Sequence, residues 1–535
     1  MSLARFELPL ALGLLALLSW VAQFHHFHEF GLYEDDYFFI AQAMGKDPDY
    51  LAERLKVFVT LPQGRPFGFF LPDLLSFIGD KLGGLDTIYL LGFVIVVTNS
   101  FLFYKLLRAR VPVVIAGIGA AAFCVFPADT TKILLTHDFQ LQPSLTFVLV
   151  ASLLYLAGRK PLAYVVSAGS LLSYESGFLP FLALPLLIRR WDRQTLRELV
   201  RHALVVLAVL IAVVLVRYLA GEGRATQSVG TLSEIIPKLA GSIVLGPARS
   251  VALLLFGPLK AVSGWDLETI GLAVATFVIT GLLVYRIGRC AASQSPWMDA
   301  LQVGGAGVVM LVLAYGLAFT HYPPTAVVGR GTSVHLGATV GGATIVAALA
   351  WLGLMVRVRL ASGLIATYVA LIVGYYVTIQ RDFIHAWQLQ RTFWQEVVAC
   401  CSDLQDGTVL LYESDGTAEP TFIFSNSWAD PLVLALMYRF PPQWATPPRL
   451  FSLTAWTDRV QPDGDHLRWW VPGASWDEHW EEFPAANVIV LRPGGGHLQR
   501  IEGSVDIAGT RFALKPLGVP AVFAPGPLHD LLLAP

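Results

Sequence analysis

Long apolar runs, ended by basic or turn-forming residues, dominate the first 380 positions of the chain. The first is Leu8 to Phe24, and others lie near residues 87 to 107, 140 to 157, 161 to 174, 176 to 188, 202 to 219, 267 to 286, 301 to 319, 333 to 355 and 360 to 379. Many reach the roughly 17 to 25 residues that an α-helix needs to cross a bilayer core. Their centres are nearly clear of charge, unlike a soluble helix, which turns one polar face to water. The pattern predicts a polytopic α-helical membrane protein with about 11 transmembrane helices. Two apolar stretches fit less well. Phe67 to Leu82 carries Asp73, Asp80 and Lys81 and is read as a helix on the outer membrane surface. Lys238 to Val262, interrupted by Gly246-Pro247 and Gly257-Pro258, is read as interfacial or re-entrant.

After Gln380 the pattern changes. An amphipathic stretch from Arg381 to Cys400 precedes short β-type runs, Thr408 to Tyr412, Val488 to Leu491 and Val505 to Ala508, between Pro/Gly-rich turns. Two modules are therefore expected: a transmembrane module over 1-379, with a long outer loop over 25-86, and a soluble extracytoplasmic α/β domain over 380-535. No internal repeat suggests an inverted-repeat transporter.

Composition agrees with this reading. Of 535 residues, 55% are hydrophobic and only 14% charged, against about 25% charged in ordinary soluble domains. With a net charge of −2 and no basic groove pattern, nucleic acid is excluded as a partner. Of the four cysteines, Cys124 and Cys290 lie in or beside apolar runs and Cys400 and Cys401 are adjacent, which fits neither a disulfide framework nor a zinc motif. Only Arg5 precedes the first run and no small-residue cleavage site follows it, so it is read as a retained helix and not a signal peptide.

Basic residues set the orientation, because short cytoplasmic loops retain Lys and Arg. Lys105 with Arg108 and Arg110, Arg159 with Lys160, the block from Arg189 to Arg201, Arg286 with Arg289, and Arg357 with Arg359 all fall on one side if the spans follow in order. The N-terminus is then cytoplasmic, and everything after Gln380 is outside.

Candidate chemistry gathers in the outer loops. Gly31-Leu-Tyr-Glu-Asp-Asp-Tyr37 places Glu34, Asp35 and Asp36 in series before a helix-like segment, Phe38 to Met44. Close carboxylates repel, so a cation must offset them or one of them holds a raised pKa, as a general base needs. A helix cap uses only one carboxylate and leaves two. Gln63-Gly-Arg-Pro-Phe67 offers Arg65, whose planar fork suits phosphate. Arg330, His321 and His335 lie in a later outer loop, where they could meet a phosphate leaving group. His137, Asp138, Glu175 and His321 are assigned to the cavity wall. His25, His26, His28 and Glu29 alternate as in an irregular segment, not along one ligand face, and no metal is assigned to them. The stretch from Trp469-Trp470 to Trp480 suits either sugar stacking or an aromatic core.

These features resemble the integral-membrane glycosyltransferases of GT-C fold, especially bacterial relatives of the protein O-mannosyltransferases and aminoarabinose transferases. The resemblance rests on Glu34-Asp35-Asp36 just past the first span, on Arg65-Pro66 opening a surface helix that ends in Lys81-Leu-Gly-Gly84, and on the next span ending in Tyr104-Lys-Leu-Leu-Arg108. It covers roughly residues 1 to 110. It implies transfer of a sugar from a polyprenyl-phosphate donor to an extracytoplasmic glycan, lipid or protein acceptor, as in cell-envelope glycan biosynthesis at a bacterial-type inner membrane. Asp35 or Asp36 would act as base or acceptor-orienting acid beside Glu34, and Arg65, Arg330 and His335 would neutralise the donor phosphate. The motif departs from the commoner Asp-Glu pair. Metal independence is expected, with a divalent cation at Glu34/Asp35/Asp36 as the alternative. Competing readings are a transporter or flippase of lipid-linked or small polar substrates, and an O-antigen polymerase or ligase.

Overall fold

A computed structural model describes residues 6–222, 232–291, 297–318, 323–413, 430–452, 460–471, 479–507 and 510–534. The described chain is mostly helical and divides into two compact units. One comprises Met1–His28, Leu55–Leu71 and Tyr89–Arg381, the other Glu29–Arg54, Pro72–Ile88 and Asp382–Pro535.

Among the described residues, eight helices are long and apolar enough to cross a membrane: Glu7–Glu29, Leu85–Arg108, Leu135–Leu156, Arg193–Leu219, Ser233–Gly264, Leu267–Arg289, Ala338–Val356 and Val358–Cys400. Three shorter apolar helices, Val113–Cys124, Glu175–Ile188 and Trp297–Leu313, accompany them. In Arg193–Leu219, Ser233–Gly264 and Leu267–Arg289 only 17% of the most apolar window is buried. Leu204, Ile211, Phe277 and Ile279 are among the side chains left open, a surface suited to lipid and not to water.

The pair of short spans expected near 161 to 174 and 176 to 188 takes a different form. Lys160–Leu171 has 12 residues, about 18 Å at 1.5 Å per residue, short of a bilayer core. The second stretch breaks into 3-10 turns at Glu175–Gly177 and Leu179–Ala183 before Leu184–Ile188. Pro180 and Pro185 remove the N–H groups that a continuous α-helix needs there. The opposite correction applies to the stretch from Lys238 to Val262. It is one helix, Leu232–Ala261, unbroken across Pro237, Pro247 and Pro258. Gly246 lies against the Tyr315 ring so closely that a Cβ would come within 2.3 Å of it, and neighbouring helices re-satisfy backbone groups that proline frees.

Small residues bring the Trp297–Leu313 and Ala338–Val356 helices together. A Cβ on Gly307 would sit 2.9 Å from the Gly341 carbonyl oxygen, and one on Gly341 would sit 2.3 Å from the Leu311 nitrogen. Close backbone approach replaces the hydrophobic drive that lipid does not supply. Ion pairs link the basic clusters of this unit. Glu7 accepts from Arg108 at 2.7 Å, Glu198 meets Lys160 and Arg189 at 2.8 and 2.9 Å, and Asp299 meets Arg110 and Arg190 at 2.7 and 3.2 Å. Arg289, Arg357 and Arg359 line one open cleft with Tyr285.

In the second unit, four strands form a sheet in the order Arg449–Ser452, Val409–Tyr412, Val488–Gly494, His497–Ile501; the first three are parallel and the last antiparallel. Val409 to Tyr412 and Val488 to Leu491 are buried at every position, which explains their unbroken apolar spelling. A three-stranded antiparallel sheet, Val460–Asp463, His466–Val471 and His479–Pro484, adds Leu467, Trp469 and Phe483 to the core around Val488, Val490 and Phe512. Trp469 is therefore core. Trp470 and Trp480 are directly opposed across two strands, with ring centroids 5.4 Å apart. Asp403 and Arg500 form a buried ion pair, and Asp403 Oδ2 also accepts from the Gly518 N–H at 2.8 Å.

Candidate functional site

Glu34, Asp35 and Asp36 belong to the second unit, where they are 8, 8 and 0% exposed. Three carboxylates are thus drawn out of water together, which costs free energy unless a protein group, a proton or a ligand compensates. Their backbone is tightly specified. Glu34 has φ 47°, one of three non-glycine residues in the left-handed region among the described residues, a placement worth about 1–3 kcal/mol of strain. Asp36 closes the turn from both directions: its N–H donates to the Tyr33 carbonyl at 2.9 Å, and its Oδ2 accepts from the Tyr33 N–H at 3.1 Å. Asp36 then opens the short helix Asp36–Phe39. The helix-like segment expected over Phe38 to Met44 is this helix followed by a 3-10 turn, Ala41–Ala43.

The turn is fixed to the helical segment that follows Asp382. Tyr33 Oη donates to the Phe383 carbonyl at 2.9 Å and accepts from the Gly31 N–H at 3.2 Å, and Tyr37 Oη donates to Gln390 Oε1 at 2.6 Å. Gly31 faces the Trp387 ring, where a Cβ would come within 1.8 Å of a ring carbon, so no other residue fits. Sequence reasoning singled out the carboxylates and passed over this scaffold. The alternation of Gly31, Tyr33 and Tyr37 around the acids was its only local signal; Trp387 and Gln390 gave none.

In the first unit, Arg65 and Glu175 are brought together. Arg65 Nε donates to Glu175 Oε2 at 2.8 Å, its terminal nitrogen donates to Oε1, and its guanidinium stacks 4.1 Å from the Tyr174 ring centre. Burial alone would lower the Arg65 pKa; the Glu175 carboxylate reverses that and holds the guanidinium protonated. Arg217 stands beside them, its Nη1 3.8 Å from Glu175 and its Nε donating to Glu222 at 2.8 Å. Two arginines and two glutamates therefore form one cluster, and the fork of Arg65 is already engaged by a carboxylate. Leu61 and Gln63, the other two left-handed non-glycine residues, lead into it. Arg217 and Glu222 lie at the end of an apolar helix, far in sequence from Arg65, and no local pattern ties them to it.

His335 is fully buried. Its Nε2 lies 2.7 Å from the Thr325 carbonyl, which can only accept, so this nitrogen carries the hydrogen. Its Nδ1 then accepts from Tyr315 Oη at 2.6 Å, and Ser250 Oγ, hydrogen-bonded to the same Tyr315 hydroxyl, lies 3.1 Å from it. A neutral imidazole fits these contacts and fixes the Arg330–His335 turn, in which Arg330 is half-buried. His137 and Asp138 are buried in the Leu135–Gln140 helix, and Asp138 packs against Gly92, where a Cβ would come within 2.7 Å of its carboxylate. His321 lies outside the described residues.

No family model matches the chain, and no curated protein matches it.

Proposed function

We propose that this protein is a GT-C type integral-membrane glycosyltransferase. It moves a sugar from a polyprenyl-phosphate donor to an extracytoplasmic glycan, lipid or protein acceptor. The observation that carries the reading is the acidic turn: three buried carboxylates on a strained backbone that Gly31, Tyr33 and Tyr37 fix in place. Asp36 also holds the turn through the Tyr33 N–H, and Asp35, Asp36 or Glu34 is the base in this reading. One of them takes the proton from the acceptor hydroxyl or amine. The acceptor atom bonds to the anomeric carbon, and the bond from that carbon to the donor phosphate oxygen breaks. The phosphate leaves with the electron pair and needs a cation, a role for which the sequence offers Arg330 in an outer loop. The reaction as written requires no metal.

The accompanying topology has eleven spans in a bacterial-type inner membrane, with the N-terminus cytoplasmic and the Asp382–Pro535 region outside. Seven of the eight long apolar helices, the three shorter ones and Lys160–Leu171 are its candidate spans. It is supported by the ion pairs through Glu7, Glu198 and Asp299, which tie together basic clusters assigned to the cytoplasmic side. The Leu232–Ala261 helix then lies along the outer face. In support, Gly246, Ser250 and Gly257 all pack against Tyr315, His335 or Tyr375, residues at the outer ends of their elements in this topology.

The test compares lipid-linked glycans and glycosylated products in cells expressing wild type, Asp35→Asn or Asp36→Asn at equal levels. Accumulated donor and lost product are expected, and unchanged product in both variants sinks the catalytic assignment. Arg330→Ala is expected to lose activity while the protein elutes normally in detergent; full activity removes it from the site.

A further inference from the structure

At one end of the first unit, two histidines and a glutamate converge. His25 Nε2 lies 3.2 Å and His26 Nε2 lies 3.3 Å from the same oxygen, Glu268 Oε1, and one ligand atom from each residue falls within 4.8 Å of the others. These separations are long for hydrogen bonds between charged groups, which run about 2.7–2.9 Å. Arg381 does reach that range here, at 2.8 Å from Glu268 Oε2 and 2.6 Å from Asp266 Oδ2. They do match the edge of a tetrahedron around Zn²⁺, roughly 3.3 Å for bonds of about 2.0–2.1 Å to nitrogen and oxygen.

The surrounding structure holds the three groups where ligands would need to be. His25 follows a π-helical turn, Trp20–Phe24, a form concentrated at functional sites. The His26 N–H donates to Gln380 Oε1 at 3.1 Å, and Gln380 Nε2 donates back to the Ala22 carbonyl at 2.8 Å, which pins the end of the first helix. Glu268 lies in the first turn of the Leu267–Ala291 helix, and Asp266 takes over the capping of that turn by accepting from the Thr269 N–H at 2.9 Å. Glu268 is thus spared for another role. Its second oxygen accepts from Arg381, the outer-shell hydrogen bond that orients a ligating carboxylate. Side-chain exposures of 38% at His25, 18% at His26 and 40% at Glu268 leave a fourth position open to water.

We propose that His25, His26 and Glu268 bind one divalent transition-metal cation, with Zn²⁺ the best match to two imidazoles, one carboxylate and a water. Neither His28 nor Glu29 takes part. The ion joins the ends of the first helix and the Leu267–Ala291 helix, and through Arg381 it is coupled to the Val358–Cys400 helix. The proposal is independent of the glycosyltransferase reading, because its readout is metal content.

The experiment uses the full chain purified in detergent with a tag other than polyhistidine and without chelators. Elemental analysis is expected to find about one zinc per chain. Chelator-stripped protein titrated with Co²⁺ is expected to develop the visible bands of a tetrahedral complex. The His25→Ala/His26→Ala double variant and Glu268→Gln should lose both signals, and Arg381→Gln should bind about 10-fold more weakly, as for loss of an outer-shell partner. Wild-type protein that carries no zinc and gives no tetrahedral bands overturns the site without reference to any variant. Full zinc content in the double variant overturns it as well.

Discussion

Two groups of buried carboxylates in the second unit are built on different plans. Asp403 is surrounded by groups that meet its charge directly: Arg500 engages both its oxygens, and the Gly518 N–H adds a bond of 2.8 Å. At Glu34 to Asp36 the bonds made by Gly31, Tyr33 and Tyr37 also hold the backbone of a strained turn. The first arrangement serves stability; on the reading proposed above, the second also aims a catalytic carboxylate.

Substitutions should separate the two plans. Asp35→Asn is expected to lower product formation by about 10²- to 10⁴-fold, the range for general-base catalysis, with an unchanged melting temperature in detergent. A large loss of stability without a specific loss of turnover would break the contrast. Arg500→Met should do the reverse. It strands the Asp403 charge in the interior at a cost of about 3–5 kcal/mol, read as a lower unfolding midpoint by tryptophan fluorescence. Gly31→Ala should cost about 1–3 kcal/mol through collision with Trp387 and should reduce activity as well, because the acidic turn shifts with it. Combining it with Trp387→Leu should restore part of both.

Acid should reveal the smallest effect. Burial alone would raise the Asp403 pKa, but Arg500 and the Gly518 N–H take it below the ordinary carboxylate value. The folded pKa then lies below the unfolded one of about 3.9. The stabilisation from this group is complete above that unfolded value and is lost as pH falls through the folded pKa. In an unfolding series against pH, the difference between wild type and Asp403→Asn should therefore hold constant near neutrality and shrink only in strong acid. A difference that fades between pH 6 and about 8 would mean that another group controls it.

Much of this architecture is readable from residue order, because lipid imposes a simple rule on long elements. Apolar runs of span length mark most of the long helices, and Val409 to Tyr412 and Val488 to Leu491 read directly as buried strands. The rule fails where packing outweighs local preference. Pro247 suggests a break, yet the helix continues through it, with Gly246 packed against the Tyr315 ring. Pro180 and Pro185 do break their segment. At the candidate site the charged residues were legible because like charges in series stand out. Their partners were not: Trp387 and Gln390 lie some 350 positions from the turn they hold, and Glu268 meets His25 and His26 only in three dimensions.

That long separation has a consequence for biosynthesis. Phe383, Trp387 and Gln390 leave the ribosome about 350 residues after Tyr33 and Tyr37. At a synthesis rate of about 5–20 residues per second, the acidic turn waits roughly 20 to 70 s for the groups that shape it. Until then the turn has its local bonds between Tyr33 and Asp36 but not those to Phe383 and Gln390. A chain released before residue 383 would already contain every acidic residue of the motif but none of the groups of Phe383, Trp387 and Gln390 that position it, so on the proposed reading activity requires synthesis past that point.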